Sequence, residues 1–238
     1  MSEKVNRIKR LFIEHFFDFL MLFLAVALGF VVDNWRDEYN AAKTTKEVAF
    51  ELVMDISKDS GRIDELVLHC RKKMYKLDSL YEIIDDKPGY KNDSLLYLFS
   101  AYVSLRPWFE RYGGTFQMIT NTGLLDNFTK IAASELAKYQ IDCTKLISLL
   151  EQERNLLTNK IYPFQQQVFH TENFHSLVDE HKLLVKPELR NWTEEKRWLY
   201  HNYITELKIM NHHVYTQYLL LQERARSVIR LLKKEYAI

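Results

Sequence analysis

Apolar residues crowd the N-terminal end of this chain before settling into a helical rhythm. Between Phe16 and Val32 the only charged residue is Asp18. A helix rises 1.5 Å per residue, so this stretch covers about 25 Å, close to the ~30 Å hydrocarbon core of a bilayer. The pattern predicts a transmembrane helix over residues 12–34, preceded by a basic tail at 1–11 and followed by a helical domain at 35–238. Trp35, just past the exit, suits an interfacial anchor. Asp18 is a candidate for ion coupling, because an ionisable residue inside a span is a functional-site hypothesis by default. The competing reading is that its carboxylate reaches the nearby interface.

Beyond the span no proline occurs before Pro88, and Gly61 is the one glycine before it. Apolar or small residues recur in steps of four, three or seven at Trp35, Tyr39, Ala42, Ala49, Val53, Ile56, Ile63, Val67, Cys70, Met74, Leu77, Tyr81 and Ile84, with Lys46 and Ser60 as interruptions. That is a heptad-like seam, and it predicts one helix from the membrane to about Ile84. Its likeliest bend is at residues 57–61. The run Asp85-Asp86-Lys87-Pro88-Gly89 stops it. A shorter helix capped by Asn92-Asp93-Ser94 runs toward Leu105 and ends at Pro107. Further on, a long helix over 128–169 carries Ala132, Leu136, Tyr139, Cys143, Leu146, Leu150, Leu157, Ile161, Phe164 and Val168 along one face, with Pro163 as a candidate kink. Residues 170–190 read as irregular. Thr193 is a candidate N-cap for a last helix reaching Tyr236 along Tyr203, Leu207, Met210, Val214, Leu221, Ala225, Val228 and Leu232. The expected fold is all-α: an N-terminal transmembrane helix continuing into an elongated antiparallel bundle with coiled-coil-like packing.

Composition narrows the function classes. The 33 Lys and Arg against 32 Asp and Glu leave no basic face for nucleic acid. With 14 Phe and 14 Tyr the chain has material for a packed core. Lys4, Arg7, Lys9 and Arg10 precede the span, whereas Asp33, Asp37 and Glu38 follow it beside Arg36. By the positive-inside rule the N-terminus is cytoplasmic, which puts the helical domain in the periplasm of an inner-membrane protein. Ala25-Val26-Ala27 imitates a signal-peptidase site, but the apolar run continues past it, so an uncleaved signal anchor is expected.

Candidate chemistry is sparse. Cys70 and Cys143 fall on the apolar faces of different helices. Outside the cytoplasm they are either a disulfide pair or two buried thiols. His170, Glu172, His175 and His181 cluster in sequence without a metal-ligand spacing. Gly113-Gly114-Thr115 resembles a weak anion nest but lacks the lysine of a phosphate loop, so it reads as a turn with Gly113 or Gly114 at positive φ. Asn121 and Thr122 beside Gly123, itself a candidate helix C-cap, are expected to line a possible pocket with Gly113 and Gly114. No catalytic motif is present and no cofactor is expected.

The segment Leu24-Ala25-Val26-Ala27-Leu28-Gly29-Phe30, the exit Val32-Asp33-Asn34-Trp35-Arg36-Asp37-Glu38 and the central run Gly114-Thr115-Phe116-Gln117-Met118-Ile119-Thr120-Asn121-Thr122-Gly123-Leu124-Leu125 together resemble small membrane-anchored proteins of unknown function common in Bacteroidetes-type bacteria. The resemblance implies inner-membrane topology and supplies no catalytic residue. The leading expectation is a non-enzymatic, membrane-anchored structural or interaction subunit, with the lipid bilayer and a protein partner or second copy as its partners. The alternatives are a periplasmic sensor or ligand-binding module, and an ion-coupled transducer using Asp18.

Overall fold

A computed structural model describes residues 2–85, 90–106, 109–170, 172–179 and 183–238; within it the side chains of residues 2–15, Asp18, Tyr90, Lys91, His175, Val178 and Asp179 are outside the description. Pro107, His181 and residues 86–89, where a turn is expected, also lie outside. The described residues form helices and no strand. They are α1 (Ser2–Ile83), α2 (Tyr90–Ser104), α3 (Gly114–Thr122), a 3-10 turn (Leu124–Asn127), α4 (Lys130–Leu156), a π-helical turn (Leu157–Ile161), α5 (Tyr162–Val168), α6 (Glu172–Asp179) and α7 (Glu194–Tyr236).

Among the described side chains, those of the N-terminal half of α1 are almost all exposed. Phe19, Leu22, Phe23, Leu28, Phe30 and Val32 are exposed, and Trp35 is 78% exposed. Among the described side chains the first buried one is that of Thr45. This one helix is long and apolar enough to cross a membrane. From Thr45 onward α1 enters a core. Its buried positions Leu52, Ile56, Asp59, Ile63, Leu66, Cys70, Lys73, Leu77, Leu80 and Ile84 alternate steps of four and three residues. On α7 the same alternation runs Tyr200, Ile204, Leu207, Asn211, Val214, Tyr218, Leu221, Ala225, Val228 and Leu232. On α4 it runs Ala132, Leu136, Tyr139, Cys143, Leu146, Leu150 and Glu153.

Paired residues set the directions. Asp59 meets Tyr139 and Lys73 meets Glu153, both pairs 80 residues apart, so α1 and α4 run parallel in constant register. Against α7 the order reverses: Asp64 pairs with Gln222 and Asp78 with Lys208. The return path between α1 and α4 is α2 and α3, which lie back along α1. An extra residue is absorbed at Leu157–Ile161. There the wide π turn keeps the carbonyl of Asn159 clear of Pro163, whose ring would clash with it in a regular helix and whose nitrogen donates nothing. The kink expected at Pro163 is therefore a change of helical pitch just before it.

Other local expectations fared variously. Thr193 caps α7 by accepting from Lys196 N, and Gly123 closes α3 with φ +72°. Helix α2 begins at Tyr90, ahead of the expected Asn-Asp-Ser cap. Helix α1 is unbroken through Gly61. The 170–190 segment is not wholly irregular. It contains α6, whose Asn173 is fully buried and holds the following loop by accepting from Leu184 N (2.9 Å) and Val185 N (3.0 Å) and donating to Val185 O (3.1 Å). Asn173→Ala is expected to cost about 1–2 kcal/mol in urea unfolding and to speed amide exchange at Leu184 and Val185, since two backbone donors lose their acceptor. Unchanged exchange there would show that the loop is held by something else.

Cys70 and Cys143 are free, buried thiols rather than a bridge. In the α1–α4 register Cys143 lies level with Ile63, one heptad from Cys70. That is about 10 Å along the axis, beyond the ~7 Å Cα separation a disulfide tolerates. Burial pushes the Cys143 thiol up to about 11 and the Cys70 thiol to about 12, so both are inert at neutral pH.

Candidate functional site

Two aspartates one turn apart on α1 support a polar surface groove. Asp55 Oδ2 accepts from Thr115 Oγ1 (2.7 Å). Asp59, 1% exposed, accepts from Tyr112 N (2.8 Å) through Oδ1 and from Tyr139 OH (2.8 Å) through Oδ2. Together they pin the segment entering α3 against α1 and α4. The Arg111 guanidinium sits over Phe116 and Tyr139 at 5.2 and 5.3 Å, hydrogen-bonds to Gln140 and lies 3.8 Å from Asp59. Burial raises the Asp59 pKa, outweighing the hydrogen bonds and the cation that pull it down.

Above this buried base lies an open groove of about 440 Å³ lined by Arg111, Gly113, Gly114, Phe116, Gln117, Thr120, Asn121 and Gln140. Gly113, Gly114 and Asn121 thus come together as expected. Gly123 does not line the groove; it ends the helix. The positive φ expected at Gly113 or Gly114 is found instead at Gly123, and Gly113 has φ −107°. Arg111, Gln117, Thr120 and Gln140 were not singled out in the sequence. For Gln140 the signal was present, next to the seam residue Tyr139. The groove's lining is mainly amide, hydroxyl and backbone, with one cation already balanced by Asp59. That suits hydrogen bonding to a small polar molecule and holds no nucleophile–base pair. No known protein family matches the chain, and neither a curated protein nor a solved structure does.

A second polar layer lies deeper, between the two apolar clusters that make up the core. Lys73 Nζ donates to Glu153 Oε1 (2.7 Å) and lies 3.5 Å from Leu105 O, with both side chains almost fully buried. Asn211 Nδ2 donates to Cys70 O (3.2 Å). A third layer is fully bonded: Gln165 Nε2 donates to Ser104 Oγ (2.9 Å), and Tyr200 OH to Ser100 Oγ (2.8 Å). Among the described residues no three His, Cys, Asp or Glu side chains converge as metal ligands. His170 Nδ1 instead lies 2.9 Å from Arg190 Nη2.

Proposed function

We propose that this chain is a single-pass inner-membrane protein, N-terminus cytoplasmic, whose periplasmic helical domain serves as a non-enzymatic structural or interaction subunit. The observation that carries it is α1. One unbroken helix leads from the exposed apolar stretch, through Trp35, into the buried seam. Each exposed Phe or Leu left in water forfeits about 1.5–3 kcal/mol of burial, and a bilayer recovers it. With no break between span and seam, a displacement of the span is delivered to the whole domain, as a subunit that holds or positions a neighbour requires. The alternating seams of α1, α4 and α7 support coiled-coil-like packing, with α7 antiparallel to the other two.

The expected result is that the full-length chain stays in membranes through alkaline extraction and that protease added to the periplasmic side removes the helical domain. Cross-linking in intact membranes should give one discrete larger species. Release by alkali, or protection from external protease, overturns the topology; a strictly monomeric cross-linking pattern overturns the interaction role.

The groove at Arg111 favours a second reading, a ligand-binding module. A thermal-shift screen of the full chain with neutral polyols, amino acids and small carboxylates tests it. A stabilising ligand whose effect is lost in Asn121→Ala supports this reading, and a uniformly flat screen removes it.

A further inference from the structure

One turn before Lys73 on α1, His69 enters the same buried layer. Its ring lies nearly parallel to that of Tyr102 on α2, at 6.1 Å, and its Nε2 is buried without a hydrogen bond. The charged groups facing it are Arg62, Lys72 and Lys73 from its own helix and Glu153 from α4. At this level α7 brings neutral groups, Asn211 against Cys70 O and the buried Tyr218. Glu153, the carboxylate within reach, is already committed to Lys73.

We infer that this layer is an acid-sensitive joint: a proton taken up by His69 adds a cation to a buried layer whose facing carboxylate is already paired, and loosens the hold of α1 on α2 and α4. The neutral ring suits its place. It stacks on an aromatic and asks for no counterion. The charged ring meets three cations on α1. Burial first, and Lys73 second, hold the imidazole below its ordinary 6.5. The unfolded chain therefore binds the extra proton between 6.5 and that lower value. The His69 contribution to stability is complete above 6.5 and is lost as the pH falls through the folded value. Because α1 carries the apolar segment at its other end, acid would uncouple α2 and α4 from the helix that bears the span.

The test uses the full-length chain in detergent micelles. NMR titration of the His69 imidazole is expected to give a value below 6.5. Hydrogen-exchange protection at residues 66–74, corrected for intrinsic rate, should fall by up to about tenfold per pH unit as the pH drops below about 6.5 toward the folded value. His69→Gln should abolish that fall. An imidazole titrating at 6.5 or above overturns the inference, and so does an equal loss of protection in His69→Gln. Should the variant fail to fold, the wild-type titration decides alone.

Discussion

Lys73→Met in the full-length chain is expected to lower the unfolding free energy by about 3–5 kcal/mol, while Lys73→Met combined with Glu153→Leu restores most of it. The asymmetry follows from burial. Both side chains are nearly inaccessible, so each charge has given up its water for the other and for a hydrogen bond of 2.7 Å. Removing one partner strands an ion in the core. Removing both replaces a desolvated pair with apolar volume, which is often neutral or stabilising. Domains of this size have about 5–15 kcal/mol in total, so the single substitution should be plain in a urea titration. A single-variant loss below about 1 kcal/mol would mean that water reaches the layer, and the pair would then behave like a surface salt bridge.

The same pair explains where the sequence was legible and where it was not. The seam of α4 read correctly from Ala132 to Leu150, because each seam residue there, Ala132, Leu136, Tyr139, Cys143, Leu146 and Leu150, is buried and none is charged; it passed over Glu153. On α1 one half of the seam was right: Ile56, Ile63, Cys70, Leu77 and Ile84 are all buried. The other half was placed one residue late, at Ser60, Val67, Met74 and Tyr81, whereas the core takes Asp59, Leu66, Lys73 and Leu80. Periodicity scored on hydrophobicity passes over Asp59 and Lys73, because a charge at a seam position reads as solvent. The bundle can bury them because Tyr139 and Glu153 stand opposite, 80 residues on, a relation invisible without the register of α1 and α4. The slip on α7 has the same cause. Asn211 is buried, and skipping it shifts attention from Tyr200, Ile204 and Tyr218 to the half-buried Tyr203 and Met210. The groove shared this fate. Its glycines and Asn121 were visible as turn residues, but Arg111 acquires its place through Asp59. Trp35 is exposed just beyond the apolar stretch, and the side chain of Asp18 lies outside the described residues.

Asp59→Leu should be about as damaging as the loss of Lys73, near 3–5 kcal/mol, because it leaves the Tyr139 hydroxyl and the Tyr112 amide without their acceptor and Arg111 without its counter-charge. Asp59→Asn keeps an accepting oxygen and should cost less, about 1–2 kcal/mol at neutral pH. The pair of variants also reads out the protonation of Asp59. Burial raises its pKa above the ordinary 3.8, so in the window above 3.8 the folded chain binds more protons than the unfolded one. The Asp59 contribution is therefore greatest below 3.8 and diminishes as pH rises through the folded value, the opposite sign to His69. Wild type should accordingly exceed Asp59→Asn by a margin that narrows from about pH 4 upward and then levels off, measured by urea unfolding at each pH. A margin that widens with pH would show that Arg111 and the two hydrogen bonds outweigh desolvation and keep Asp59 ionised. The groove above it would then rest on an ion pair strong enough to offset the burial of its carboxylate.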